Sequence, residues 1–167
     1  MPRGRPSKPE RLGAILVDWD NLVIPTEKDL NLPVWEINIY LMRALLEASL
    51  KFIDKAHLFV FTSQGNINRN YFLEDDTKDF DLELIVVPSK KDAADKAIVL
   101  KAVELMREKE VTTFIFASGD GYFIKTAERL KKAGKKVVFM PYSEDHLHSD
   151  YLNSFNPNNI VFLKYYI

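Results

Sequence analysis

Short apolar runs alternate with stretches of helical apolar spacing along most of the chain, and no other feature constrains the fold as tightly. Residues 13–17 (Gly-Ala-Ile-Leu-Val) are too short and too β-branched to favour a helix and read as a buried first strand, ending at Asp18. A loop holding Pro25 and Pro33 is expected next. The segment 34–52 then carries Val34, Ile37, Leu41, Ala44, Leu45, Ala48 and Phe52 at helical spacing. His57 to Thr62 and Leu82 to Val87 read as the second and third strands, the latter closed by Pro88. Ser89-Lys90-Lys91-Asp92 has capping-box spacing in its Asp form and predicts a helix over about 90–109. Thr113 to Ala117 is the fourth strand, Tyr122 to Lys132 a helix stopped by Gly134, and Val137 to Met140 the fifth strand. Ile160 to Ile167, aromatic and β-branched, predicts a final edge strand, which could pair in a homo-oligomer. Strands alternating with helices give an α/β class: a three-layer sandwich around a mostly parallel central sheet of about five to six strands.

A chain of 167 residues with 47% hydrophobic content suffices for one well-buried domain. The expected organisation is a basic, disordered tail over 1–11 and a single domain over 12–167. No apolar run approaches the roughly 18 residues of a membrane span, and no apolar signal region follows the N-terminal arginines, so a cytoplasmic location is expected. Zero cysteines exclude disulfides, thiolate metal sites and cysteine nucleophiles. The formal net charge is −1, and residues 1–11 contribute +3, from Arg3, Arg5, Lys8 and Arg11 against Glu10, which leaves −4 for the remainder. Attraction to nucleic acid would therefore be local.

Three aspartates follow predicted strands: Asp18 in Val17-Asp18-Trp19-Asp20-Asn21, Asp95 in Lys91-Asp92-Ala93-Ala94-Asp95, and Asp120 in Ser118-Gly119-Asp120-Gly121. Open α/β sheets bind ligands outside the carboxyl ends of their strands, so acids far apart in sequence would meet there. Carboxylates gathered in one crevice repel unless they protonate or share a cation, and oxygen-only ligands suit Mg²⁺ or Mn²⁺. The pattern points to metal-dependent phosphoryl transfer. Each acid also has a structural explanation. Asp18 could cap a loop or helix, Asp20 and Asn21 could form local Asx turns, Asp92 is accounted for by capping, and Asp120 could complement a helix dipole. Two glycines around Asp120 exceed what a cap needs and would let a phosphate approach main-chain N–H groups.

Other motifs are weaker. Gly119-x-Gly121 is not a dinucleotide fingerprint, and no Walker A motif occurs. His146-Leu147-His148 reads as a solvated loop and His57 as structural. Arg3-Gly4-Arg5 has the form of a minor-groove-binding core but reads as a solvated tail. Asn66, Asn68, Arg69, Asn70 and Tyr71 make a loop suited to phosphates or unstacked bases, with Arg69 a candidate substrate contact.

Together these blocks resemble the NYN domain, a branch of the PIN-like nuclease superfamily, over residues 12–167. Val17-Asp18-Trp19-Asp20-Asn21 is similar to the family's first motif. Lys90-Lys91-Asp92-Ala93-Ala94-Asp95-Lys96-Ala97-Ile98 is similar to its second. Phe116-Ala117-Ser118-Gly119-Asp120-Gly121-Tyr122-Phe123 is similar to its third. The resemblance implies acidic residues clustered around Mg²⁺ or Mn²⁺ and endonucleolytic cleavage, of RNA ahead of DNA. Asp18, Asp95 and Asp120 would hold the metal and serve catalysis, Lys91 and Lys96 would grip the phosphate, and Asp20, Asn21 and Ser118 would orient the groups around the ion. Two departures stand out: Tyr122 and Lys101 occupy positions where the family commonly carries further acids.

Two alternatives remain at this point. Haloacid dehalogenase-like phosphatases also open with Asp-x-Asp after a first strand, which would make Asp18 a nucleophile and Asp20 a general acid. A nucleic-acid-binding module that has lost turnover would keep the fold and bind RNA without cutting it.

Overall fold

The computed structural model describes residues 10–65, 77–78 and 80–167. The basic segment 1–9 and the loop containing Arg69 lie outside the described residues. Five strands form one sheet: β1 (Leu12–Asp18), β2 (Lys55–Ser63), β3 (Asp81–Val87), β4 (Val111–Ala117) and β5 (Lys136–Phe139). They lie in the order β3-β2-β1-β4-β5, and every pairing is parallel. The helices are α1 (Trp19–Leu30), α2 (Val34–Ser49), α3 (Ala93–Met106), α4 (Ile124–Lys132) and the short α5 (Asp150–Ser154).

Parallel strands covered on both faces read as continuous apolar runs, and β1 and β4 do so because alternate residues feed two cores. Ile15 and Val17 of β1 join Trp19, Leu41, Leu45, Leu58 and Ile115 on the α1–α2 side. Ala14 and Leu16 join Phe59, Phe61, Ile98, Phe114, Phe116 and Leu130 on the opposite side, with α3 and α4. The result is a three-layer α/β architecture with an all-parallel sheet. Among the described residues no helix is long and apolar enough to cross a membrane.

Three local expectations are corrected. The segment after Asp18 is a helix, α1, and not a loop. Pro25 sits inside it and withholds one backbone donor, a defect that costs about 3 kcal/mol in an exposed helix. Burial of Trp19, Leu22, Val23, Pro25 and Thr26 along one face overrides that cost. The helix stops at Asn31, which turns left-handed at φ 51° while its N–H still reaches the Glu27 carbonyl.

The capping box does not form either. Ser89 Oγ accepts instead from the Gly65 N–H at 3.0 Å, and α3 starts at Ala93, after Asp92 in the left-handed region (φ 62°) with no side-chain cap hydrogen bond. The third correction concerns the C-terminal segment, where no final strand forms. Ile160 makes a single parallel bridge to Phe139, and residues 163–166 then wind into a 3₁₀ turn that buries Leu163 against the core. The stop at Gly134 is as expected: it adopts φ 82°, with Lys135 N–H to Leu130 O and Gly134 N–H to Lys131 O closing the helix end.

Candidate functional site

The chain steps outward from β1 through β2 to β3, then resumes on the other side of β1 with β4 and β5. Parallel sheets form ligand crevices where the strand order reverses in this way. A crevice of about 290 Å³ opens there, lined by Asp18, Asp20, Asn21, Asp92, Asp95 and Asp120, with Ser63, Ile24, Pro88 and Lys90 in its walls.

Asp18 is the last residue of β1 and directly precedes α1, so the strand's burial carries its carboxyl to only 6% exposure. It gains no well-formed cap hydrogen bond. Burial, and then the charges of Asp95, Asp20 and Asp120, push its pKa up to about 7, offset in part by the Asn21 backbone N–H. Asp95 lies in the first turn of α3 and is 8% exposed. Burial leads again, followed by the charges of Asp120 and Asp92 and a hydrogen bond shared with the Asp92 carboxyl, and its pKa rises to about 6. Buried carboxyls that repel one another retain protons toward neutral pH unless a cation takes the proton's place.

Asp120 is half-buried at the entry to the 3₁₀ turn Gly121–Phe123. Its Oδ1 accepts from the Tyr122 N–H at 3.0 Å, and its own N–H donates to Ser118 Oγ at 3.2 Å. Ser118 Oγ in turn donates to Asn21 Oδ1 at 3.4 Å, linking the β4 edge to the first turn of α1. Asp20 is tied to the end of β2: Thr62 Oγ1 donates to Oδ1 and the Ser63 N–H to Oδ2, each at 3.0 Å.

The two glycines beside Asp120 are required by the packing of the chain itself. A Cβ on Gly119 would lie 1.7 Å from the His146 carbonyl oxygen, and one on Gly121 would lie 2.9 Å from the His148 ring. The His146–His148 segment is therefore packed against the third acid and is not merely a solvated loop. His146 Nδ1 meets Ser143 Oγ at 2.6 Å, and the His148 N–H donates to the Gly119 carbonyl at 2.9 Å. Tyr151, fully buried, donates its hydroxyl to the Asp120 carbonyl.

Of the residues the sequence singled out, the fold brings Asp18, Asp20, Asn21, Asp95 and Asp120 to one crevice, with Ser118 directly behind. Lys91 and Lys96 are exposed and do not line it, whereas Lys90 does. Lys101 points elsewhere: its Nζ pairs with Glu104 at 3.4 Å and sits 5.2 Å from the Phe59 ring centroid, in a separate hollow. Tyr122 is 41% exposed. Lys90 and Asp92 stood out only as part of the second acidic block, and nothing in the sequence pointed to Tyr151. The capping-box spacing hid any further role for the first two, and Tyr151 reaches the site only through a contact across 31 residues.

The donor set suits a hard divalent cation, since every candidate ligand atom is an oxygen and five of the six lining residues first named are aspartates, the sixth being Asn21. The spacing is looser than a closed site: among the described residues, no three Asp, Glu or His side chains stand together closely enough to hold one ion.

No curated protein and no solved structure matches the chain. A family profile described as "NYN domain" matches residues 13–157, from β1 to just past α5, and so spans all three acidic blocks. The chain belongs to the NYN domain family.

Proposed function

We propose that this protein is a Mg²⁺- or Mn²⁺-dependent endoribonuclease that works at the carboxyl edge of the sheet. The observation that carries the reading is the crevice itself, where Asp18 and Asp95 are buried, raised in pKa and within electrostatic reach of Asp120. Family membership supports a nuclease-like function. Asp18, Asp95 and Asp120 would hold the cation, which when bound supplies charge stabilisation at the scissile phosphate and a more acidic attacking water. Sharing one ion requires these three side chains to stand closer together than they do in the structure.

The remaining roles belong to the chain. Asp20, fixed by Thr62 and Ser63, holds the first turn of α1 against the end of β2. Asn21 and Ser118 hold the Asp120 loop against that same turn. Lys90, in the crevice wall, and the exposed Lys91 and Lys96 beside it offer cationic contacts to the phosphates flanking the cut.

Specific contacts count against the phosphatase alternative. Both oxygens of Asp20 are engaged, whereas a general acid needs a protonated oxygen directed at the leaving group. Lys101 is turned into another hollow, so that departure from the family pattern does not deplete the crevice. The test is incubation of purified protein with labelled single-stranded RNA, structured RNA and DNA in Mn²⁺, in Mg²⁺ and in chelator. Internal cuts in RNA that need the metal support the reading; binding with no cutting in either metal leaves the module without turnover in its place.

A further inference from the structure

We infer that Tyr151 is a positioning residue for the third acid, setting the geometry in which Asp120 meets a divalent cation. The inference rests on the reading of the crevice as the nuclease site. Tyr151 lies on α5, in the C-terminal part of the chain, and the acidic blocks end far upstream of it. Its ring is fully buried, with centroids 4.4 Å from Phe139 and 6.0 Å from Phe155. A phenylalanine would fill that space as well.

The hydroxyl distinguishes tyrosine, and it is spent on the acid's own main chain. It donates to the Asp120 carbonyl oxygen, and the Phe123 backbone N–H is directed at the same phenol oxygen. One side chain thereby spans the turn that runs from Asp120 to Phe123.

At the other end of the Asp120 residue, its N–H is held by Ser118, and Oδ1 is held by the Tyr122 N–H. The Asp120 backbone is thus fixed on both sides, and one carboxylate oxygen is already assigned. The close fit of Gly119 and Gly121 against residues 146–148 makes the same C-terminal segment the back wall of this loop, and the Tyr151 N–H bonds the His148 carbonyl at 3.2 Å. A buried hydroxyl needs an acceptor wherever it sits. Here the acceptor belongs to a residue whose carboxylate must be placed to within a fraction of an ångström to ligate an ion.

The test compares Tyr151→Phe, which keeps the ring and removes the hydroxyl, with Phe155→Leu, which loosens the same packing and leaves the hydroxyl in place. Three readouts are taken on each: thermal unfolding, hydrogen exchange of the Tyr122 amide under chelator, and Mn²⁺ affinity by titration. For Tyr151→Phe the expected result is Tyr122 exchange about ten-fold faster and Mn²⁺ binding about ten-fold weaker, the scale at which residues behind a metal ligand act. At saturating Mn²⁺ its kcat on RNA falls while KM stays near wild type. Phe155→Leu lowers the unfolding temperature and leaves exchange and Mn²⁺ affinity unchanged. Wild-type exchange and Mn²⁺ affinity in Tyr151→Phe overturn the inference, as does an equal shift of both readouts in Phe155→Leu. A wild-type protein that neither binds Mn²⁺ nor cuts RNA is a separate result: it overturns the nuclease reading and takes the positioning role with it.

Discussion

Replacing Asp18 by asparagine should stabilise the metal-free protein above neutral pH. The carboxyl is 6% exposed, and burial with three neighbouring aspartates moves it from the ordinary 3.8 to about 7. At about 1.4 kcal/mol for each factor of ten in proton affinity, ionising it in the fold costs about 4 kcal/mol more than ionising it in the unfolded chain. The sign follows from where the proton sits. A carboxyl whose folded pKa lies above its unfolded one binds its proton more tightly in the fold, so its contribution to stability is full below about pH 4 and lost as pH rises through about 7. Between pH 5 and pH 8 the wild type should lose about 2–3 kcal/mol from this group alone. Asp95, raised to about 6 by burial and its acidic neighbours, adds to the decline in both proteins. The assay is urea unfolding in chelator at pH 5, 6, 7 and 8. Asp18→Asn should flatten the profile and be the more stable protein at pH 8, and added Mn²⁺ should raise the wild-type midpoint more than the variant's. Parallel pH profiles for the two proteins would refute the reasoning, because Asp18 would then carry no excess cost of ionisation.

Gly119→Ala sets a Cβ 1.7 Å from the His146 carbonyl and should cost about 3 kcal/mol or more, read as a fall of about 10 °C in unfolding temperature; a shift within about 2 °C would show that the loops separate freely. Lys90→Ala should weaken RNA binding under chelator more than Lys91→Ala does, because only Lys90 lines the crevice, and equal effects would place the phosphate path outside it. The protein should neither hydrolyse generic phosphomonoesters nor be trapped by beryllofluoride; robust phosphatase activity lost in Asp18→Asn would reinstate Asp18 as a nucleophile.

The sheet was legible in the sequence because its inner strands are buried on both faces, so 13–17, 57–62 and 113–117 stand out as apolar runs. Helix α1 was not legible. Pro25 breaks the expected pattern, and Glu27, Lys28 and Asp29 follow it, while the apolar stripe that holds the helix becomes decisive only once Trp19 and Leu22 have a core to enter. Residues 160–167 have strand-like composition, yet their aromatic and aliphatic side chains are used to close the core in a 3₁₀ turn and not to extend the sheet. The acids were legible because position after a strand fixes the sheet edge. Their supports were not: Thr62, Ser63 and Tyr151 act through contacts that only the assembled fold creates.

The central claim, that the acidic crevice cuts RNA with a divalent cation, is tested most directly by comparing wild type with Asp120→Asn over a Mn²⁺ titration, alongside RNA binding in chelator. Asparagine keeps the shape of the side chain and removes one of the charges that hold the ion. The account predicts metal-dependent cutting by the wild type, at least about a hundred-fold less by the variant at every Mn²⁺ concentration, and RNA binding retained or strengthened as one charge facing the polyanion is lost. Full-rate cutting by Asp120→Asn, or wild-type cutting that persists in chelator, would contradict it.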